Sequence, residues 1–124
     1  MVAVLWVGLG GFLGANARYL LSGWIAARYG TLFPLGTFVI NVTGSFILGL
    51  FLTLAQERVL IHPNIRLMFA VGFVGAYTTF STFEYESLRL IQDGEFFWAI
   101  LNIFGSVLTG GVAALAGVLL ATRI

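Results

Sequence analysis

The chain contains no cysteine, no lysine, one histidine and two prolines in 124 residues, and only 9% of its residues are charged. Each shortage removes a class of protein. Without cysteine there is no disulfide scaffold, no thiol enzyme and no cysteine-bound zinc. The lone His62 argues against a histidine-rich metal centre. Six arginines against five carboxylates leave a net charge of +1 with no basic patch, so nucleic acid is not an expected partner. A soluble domain carries about 25% charged residues. What is abundant is apolar, at 60% of the chain. A soluble domain this small leaves too much surface in water to bury that share. Disorder is excluded on the same ground. An integral membrane protein with little mass outside the lipid bilayer remains, and nothing points to an enzyme.

About 20 mostly apolar residues are needed for a helix to cross the hydrocarbon core. Four such runs cover about residues 2–22, 35–56, 66–89 and 96–121. The expectation is an all-α membrane protein of four transmembrane helices, forming one domain over residues 1–124. The breaks carry turn chemistry. Pro34 and Pro63 suit first helical turns, where a missing N–H costs least. Asp93-Gly94 is a turn pair before the fourth run. The first run lacks a basic leader and holds Arg18 near its expected far end, so it reads as a retained span and not a signal peptide. Short connections predict antiparallel neighbours.

Orientation is normally set by an excess of Lys and Arg in cytoplasmic loops. Four spans place both termini and the central loop on one side, with Arg58, Arg66 and Arg123. The other side carries Arg28 and Arg89, and Arg18 if it lies near the helix end. The two sides nearly balance. A chain with so little bias is expected to insert both ways, and its inverted copies to pair as an antiparallel, dual-topology homodimer.

Polar groups inside the spans are costly and therefore informative. In the first run Gly10, Gly14, Arg18 and Ser22 recur every four residues on one face. The two glycines form a patch for close helix contact. Arg18 is either a helix-end anchor or a positive charge that draws anions to a vestibule. Thr37, Asn41 and Ser45 share the same spacing in the second run, and the Asn41 amide must find partners in hydrocarbon. Asn102, Ser106, Thr109 and Gly110 in the fourth run read as a helix–helix stripe.

The third run is the densest. Residues 72–83 hold two glycines, several hydroxyls and Phe80 and Phe83 three apart. Ser and Thr compete for backbone hydrogen bonds and glycine loosens a helix. An interruption is expected near residues 75–79. Unwound backbone in a membrane is tolerated only beside protein or a cavity, where freed carbonyls can bind a cation and a new helix N-terminus can attract an anion. Phe80 and Phe83 fall on one face, and the positive edge of an aromatic ring can touch a small anion. Glu86 lies three residues before Arg89, a spacing that suits a charge pair.

These residues carry a resemblance. Gly-x-x-Thr-Thr-Phe-Ser-Thr-Phe at residues 75–83, Gly36-Thr37-x-x-x-Asn41 and Gly14-x-x-x-Arg18 together resemble the Fluc/CrcB family of fluoride channels along nearly the whole chain. The resemblance implies a four-span antiparallel homodimer with two fluoride pores in a bacterial-type inner membrane. Flow would be passive and electrogenic, lowering cytoplasmic fluoride and conferring resistance to it. Asn41, Phe80 and Phe83 would line each pore, with Thr37, Ser81, Thr82 and Glu86 as a polar track. Arg18 would stand at the vestibule, and the carbonyls of Gly75 and Thr78 would hold a structural sodium ion at the dimer interface.

Two places depart from the family pattern. Ala76-Tyr77 replaces a commoner Gly-Leu, so the Tyr77 ring needs room beside the expected sodium ligands. Gly110 stands where a pore hydroxyl is common, leaving Ser106 or Thr109 to substitute. Two rival readings are a small dual-topology proton-coupled drug antiporter and a non-transporting structural subunit. The antiporter wants a carboxylate deep in a helix, and the first two runs hold none before Glu57.

Overall fold

The computed structural model describes residues 1–57 and 60–124, so Arg58 of the charge balance lies outside the described residues. The described residues form helices and no strand. Helix α1 spans Val2–Arg28 and α2 spans Leu35–Glu57. Helix α3 is built of three consecutive pieces, Pro63–Arg66, Leu67–Val74 and Gly75–Tyr77, the middle one with π-helical turns. Helix α4 spans Phe80–Gln92 and α5 spans Phe96–Arg123. Among the described residues, α1, α2 and α5 are long and apolar enough to cross a membrane.

Several bounds differ from the sequence expectation, each for a local reason. Helix α1 runs past Ser22-Gly23 to Arg28. Gly23 does not take the positive φ of a helix-ending glycine, and Ile25-Ala26-Ala27 carry the helix on. Arg18 is therefore an interior residue of α1 and not a helix-end residue. Helix α3 starts at Pro63, because His62 Nδ1 accepts the Asn64 N–H at 3.1 Å and Pro63 takes the first helical position. Helix α4 reaches Gln92, where the Asp93 N–H bonds the Arg89 carbonyl at 2.9 Å. Gly94 then turns the chain with φ +78°, a conformation that favours glycine. The interruption falls at Thr78-Thr79, at the C-terminal edge of the expected stretch. The widened π turns before it, at residues 67–74, had no sequence counterpart; such turns are rare and concentrate at functional sites.

Two glycine-mediated helix pairs build the bundle. The Met68 carbonyl occupies the space a side chain at Gly10 would need, and the Phe73 carbonyl does the same at Gly14. Gly72 answers from α3, with Val7 O 2.5 Å from where its Cβ would stand. The α1 face expected to pack closely does so, against α3. Helices α2 and α5 repeat the device, Gly49 against the Ala114 carbonyl and Gly117 against the Phe46 carbonyl. Backbone-to-backbone approach of this kind replaces the hydrophobic drive that is missing in lipid.

Little apolar surface is hidden inside one chain. Only 6% of the most apolar window of α5 is buried. Phe97, Phe104, Val107, Leu108 and Val112 all face outward from it. Exposed apolar area this continuous demands lipid or another protein surface. At one end of α1, Trp24 meets Tyr29 edge-on at 6.1 Å and the Arg28 guanidinium lies 5.8 Å above the Trp24 ring. Aromatic and basic residues of this kind anchor helices at a membrane–water boundary.

Candidate functional site

The site grows from the break between α3 and α4. Thr78 and Thr79 are both extended, at φ −82°, ψ 157° and φ −147°, ψ 118°. The Thr78 N–H and hydroxyl still close on the Val74 carbonyl, each at 3.0 Å. One residue later the helix is abandoned. The Thr79 N–H, which a continuous helix would give to the Gly75 carbonyl, goes to Asn41 Oδ1 at 2.8 Å. Asn41 Nδ2 donates in return to the Thr79 carbonyl at 3.0 Å. The amide thus replaces both partners that a neighbouring strand would supply. Arg18 Nε donates to the Ala76 carbonyl at 3.0 Å, a cation on the C-terminal end of α3. The Thr79 hydroxyl accepts the Thr82 N–H at 3.2 Å and caps α4.

Beside the break lies a groove of about 290 Å³. Helix α2 contributes Asn41, Gly44 and Ser45; α4 contributes Phe80 and Phe83; α5 contributes Ser106 and Val107. Space of that size holds several waters, each taking about 30 Å³ in the liquid. The walls are mostly apolar, with a few polar groups converging, the usual make-up of a small-ligand site. The Phe80 and Phe83 rings sit 6.0 Å apart at 50°. Phe83 is buried, whereas Phe80 is 73% exposed and has its outer face uncovered by this chain. Asn41 spends one of its two amide hydrogens on Thr79, which leaves the other for the groove.

A second pocket, about 200 Å³, opens between the C-terminal half of α1 and the start of α2. Ser22, Thr37 and Glu86 line it. Thr37 and Glu86 share this pocket, and Glu86 Oε1 is buried with no hydrogen-bond partner among the described residues. The expected Glu86–Arg89 pair does not form. Arg89 instead reaches Asp93 at 4.0 Å, with both side chains mostly exposed. Exposed pairs of this kind contribute little.

The family described as "CrcB-like protein, Camphor Resistance (CrcB)" matches residues 5–118. The chain belongs to the CrcB family. A relative from Acidobacterium capsulatum, named fluoride-specific ion channel FluC, is 51% identical over 120 residues, spanning 97% of this chain and 96% of its own. The protein of that name from Koribacter versatilis is 52% identical over 115 residues, 93% of this chain and 88% of its own. A third, from Geobacter sulfurreducens, is 42% identical over the full length of both chains. Family and helices together make the chain an integral membrane protein.

The structure brings only some of the candidate residues of this CrcB chain together. Asn41, Phe80, Phe83, Thr78 and Ser106 meet at the groove. Thr37 and Glu86 lie at the second pocket. Thr82 is engaged with Thr79, while Ser81 on α4 and Thr109 on α5 are exposed outside both pockets. Of the two candidate hydroxyls on α5, Ser106 and Thr109, Ser106 is the one at the groove.

The Tyr77 ring finds its room at the core. It is 7% exposed and stacks on Phe73 at 5.9 Å and 10°. Its hydroxyl donates to Thr43 Oγ1 at 2.9 Å, since Thr43 gives its own proton to the Val39 carbonyl at 2.7 Å. Asn102 does more than pack α5 against a neighbouring helix. It is 1% exposed and bonded to Ser87 and Ser106. The available signal was its four-residue spacing from Ser106, one turn below the groove.

Proposed function

We propose that the chain is a fluoride-selective channel that exports the ion passively and electrogenically. Its relatives of about half identity are named fluoride-specific ion channels. The observation that carries the reading here is the groove at the break, where the Asn41 amide, the Phe80 and Phe83 rings and the Ser106 hydroxyl converge. Fluoride is small and strongly hydrated, and losing water is expensive unless donors replace it. The spare Asn41 N–H supplies a charge-assisted bond, and ring edges supply weaker positive contacts. Weak sites suit conduction, because the ion must also leave. Arg18 is tied to the Ala76 carbonyl, so its guanidinium adds positive potential near the break without entering the groove. Thr37, Ser81, Thr82 and Glu86 would continue the polar path, with Thr109 as a subsidiary hydroxyl.

The working unit in this reading is two inverted copies in a bacterial-type inner membrane, each chain crossing four times and completing the other's pore. The uncovered face of Phe80 and the apolar exterior support a partner surface. The near-even arginine distribution supports insertion both ways. A sodium ion between the copies fits the backbone: the Gly75 carbonyl has lost the Thr79 N–H to Asn41, and carbonyls are ligands suited to a hard cation. Gly75 and Thr78 would hold it, and the ion would supply fixed positive charge at the interface.

Purified protein in liposomes loaded with fluoride is the test. Efflux that depends on a potassium-ionophore shunt, with chloride retained, is expected. No electrogenic fluoride efflux refutes the channel. Efflux should fall when sodium is exhaustively replaced by a large organic cation; unchanged flux refutes a functional sodium ion.

A further inference from the structure

Behind the groove runs a largely buried chain of hydrogen bonds, of which the pore reading uses only the last member, Ser106. Ser87 Oγ donates to the Phe83 carbonyl at 2.8 Å. Asn102 Nδ2 donates to Ser87 Oγ at 2.8 Å, and Ser106 Oγ donates to Asn102 Oδ1 at 3.2 Å. In the arrangement seen, the direction of this chain follows from its far end. A carbonyl can only accept, so Ser87 spends its single proton on Phe83 and must accept from Asn102. The amide then turns its oxygen to Ser106, and Ser106 spends its proton on that oxygen. Ser106 lines the groove, so in this arrangement it shows the groove lone pairs. Lone pairs repel an anion.

The opposite direction satisfies the same groups. With the Asn102 amide turned over, Ser87 donates to its oxygen and its nitrogen donates to Ser106. The Ser106 proton is then free to point into the groove. The Phe83 carbonyl loses only the side-chain bond, because the backbone N–H of Ser87 still stands at the helical position to serve it. An anion beside Ser106 favours this second arrangement and its absence the first.

We propose that Asn102 is a positioning residue for ion passage: a fully buried amide whose orientation decides whether Ser106 offers the groove a proton or a lone pair. The inference rests on the channel reading above. It places at this position a side chain that has donor and acceptor at opposite corners of one rotatable group, which Leu, Ser or Asp cannot supply.

The test is a saturation curve of fluoride efflux from liposomes for Asn102→Leu, Ser87→Ala and Ser106→Ala, with assembly followed by size exclusion. Asn102→Leu removes the amide N–H that would hold Ser106 in its donating orientation and is expected to lower flux several-fold, the effect of one lost neutral hydrogen bond. Ser87→Ala releases the far end of the chain, so the amide turns more easily toward Ser106. It is expected to lower the half-saturating fluoride concentration several-fold, with assembly intact. Both effects should vanish in the Ser106→Ala background, since the relay acts only through that hydroxyl. A merely structural network predicts otherwise: Ser87→Ala and Asn102→Leu would both weaken assembly and flux, additively with Ser106→Ala, and that result overturns the proposal. If Asn102→Leu does not assemble, the Ser87→Ala shift and its loss in the Ser106→Ala background decide alone. Wild-type efflux with additive variants overturns the relay only, whereas absence of wild-type efflux overturns the channel reading with it.

Discussion

Asn41 tests the reasoning most directly, because one side chain holds the break open. Its amide takes the Thr79 N–H at 2.8 Å and gives an N–H to the Thr79 carbonyl at 3.0 Å. Asn41→Leu keeps similar bulk and removes both bonds. A buried group left without a partner costs about 1–3 kcal/mol, so two cost about 2–6 kcal/mol. Part of that is recovered if the chain responds by closing the helix, since the Thr79 N–H can return to the Gly75 carbonyl. Either route empties the broken conformation. At about 1.4 kcal/mol per factor of ten, even the low end is about 30-fold. Fluoride efflux from liposomes should fall by at least about tenfold. The glycine-packed pairs, α1 with α3 and α2 with α5, do not involve this side chain, so the variant should remain monodisperse in detergent. A monodisperse Asn41→Leu protein with wild-type efflux would refute both the clamp and the pore assignment.

Glycine packing, the Tyr77 hydroxyl and the arginine balance can each be tested in turn. Gly14→Val forces a side chain into the Phe73 carbonyl and should cost at least about 1–3 kcal/mol, seen as loss of folded protein on size exclusion, whereas Gly23→Ala meets nothing and should be neutral or stabilising by about 0.5–1 kcal/mol. Tyr77→Phe removes one bond to Thr43, which keeps its bond to Val39; thermal unfolding in detergent should report a loss of about 0.5–1.5 kcal/mol, and an unchanged midpoint would show the bond to be idle. Adding several lysines at one end of the helices should trap one orientation and abolish efflux, with rescue by a copy biased the other way; full activity from one trapped orientation would refute antiparallel pairing.

Much of the fold was legible in the residue types. Apolar runs of membrane-crossing length, with 9% charge, leave few alternatives to helices in lipid. The glycine spacing in α1 foretold a close helix contact, because four-residue periodicity places Gly10 and Gly14 on one face whatever the partner. The interruption was also legible, through a cluster of hydroxyls and glycine that weakens a helix locally. Its position and its cause were not. Thr79 is released from the helix by a side chain 38 residues away on α2, and no local pattern encodes that partner. The same holds for Arg18, whose role follows from its bond to Ala76 and from an α1 longer than its apolar run.

Sequence alone therefore determined the solvent, the helical class, the candidate break and the family, since each depends on composition or on residues near one another in the chain. Tertiary structure alone decided which polar groups meet. It joined Asn41 to Thr79, put Ser106 at the groove while leaving Thr109 exposed, and buried Asn102 behind Ser106. The physical reason is rotation about helix axes. A shift of one residue turns a side chain by about 100°, given 3.6 residues per turn, and only the packing of neighbouring helices sets that angle.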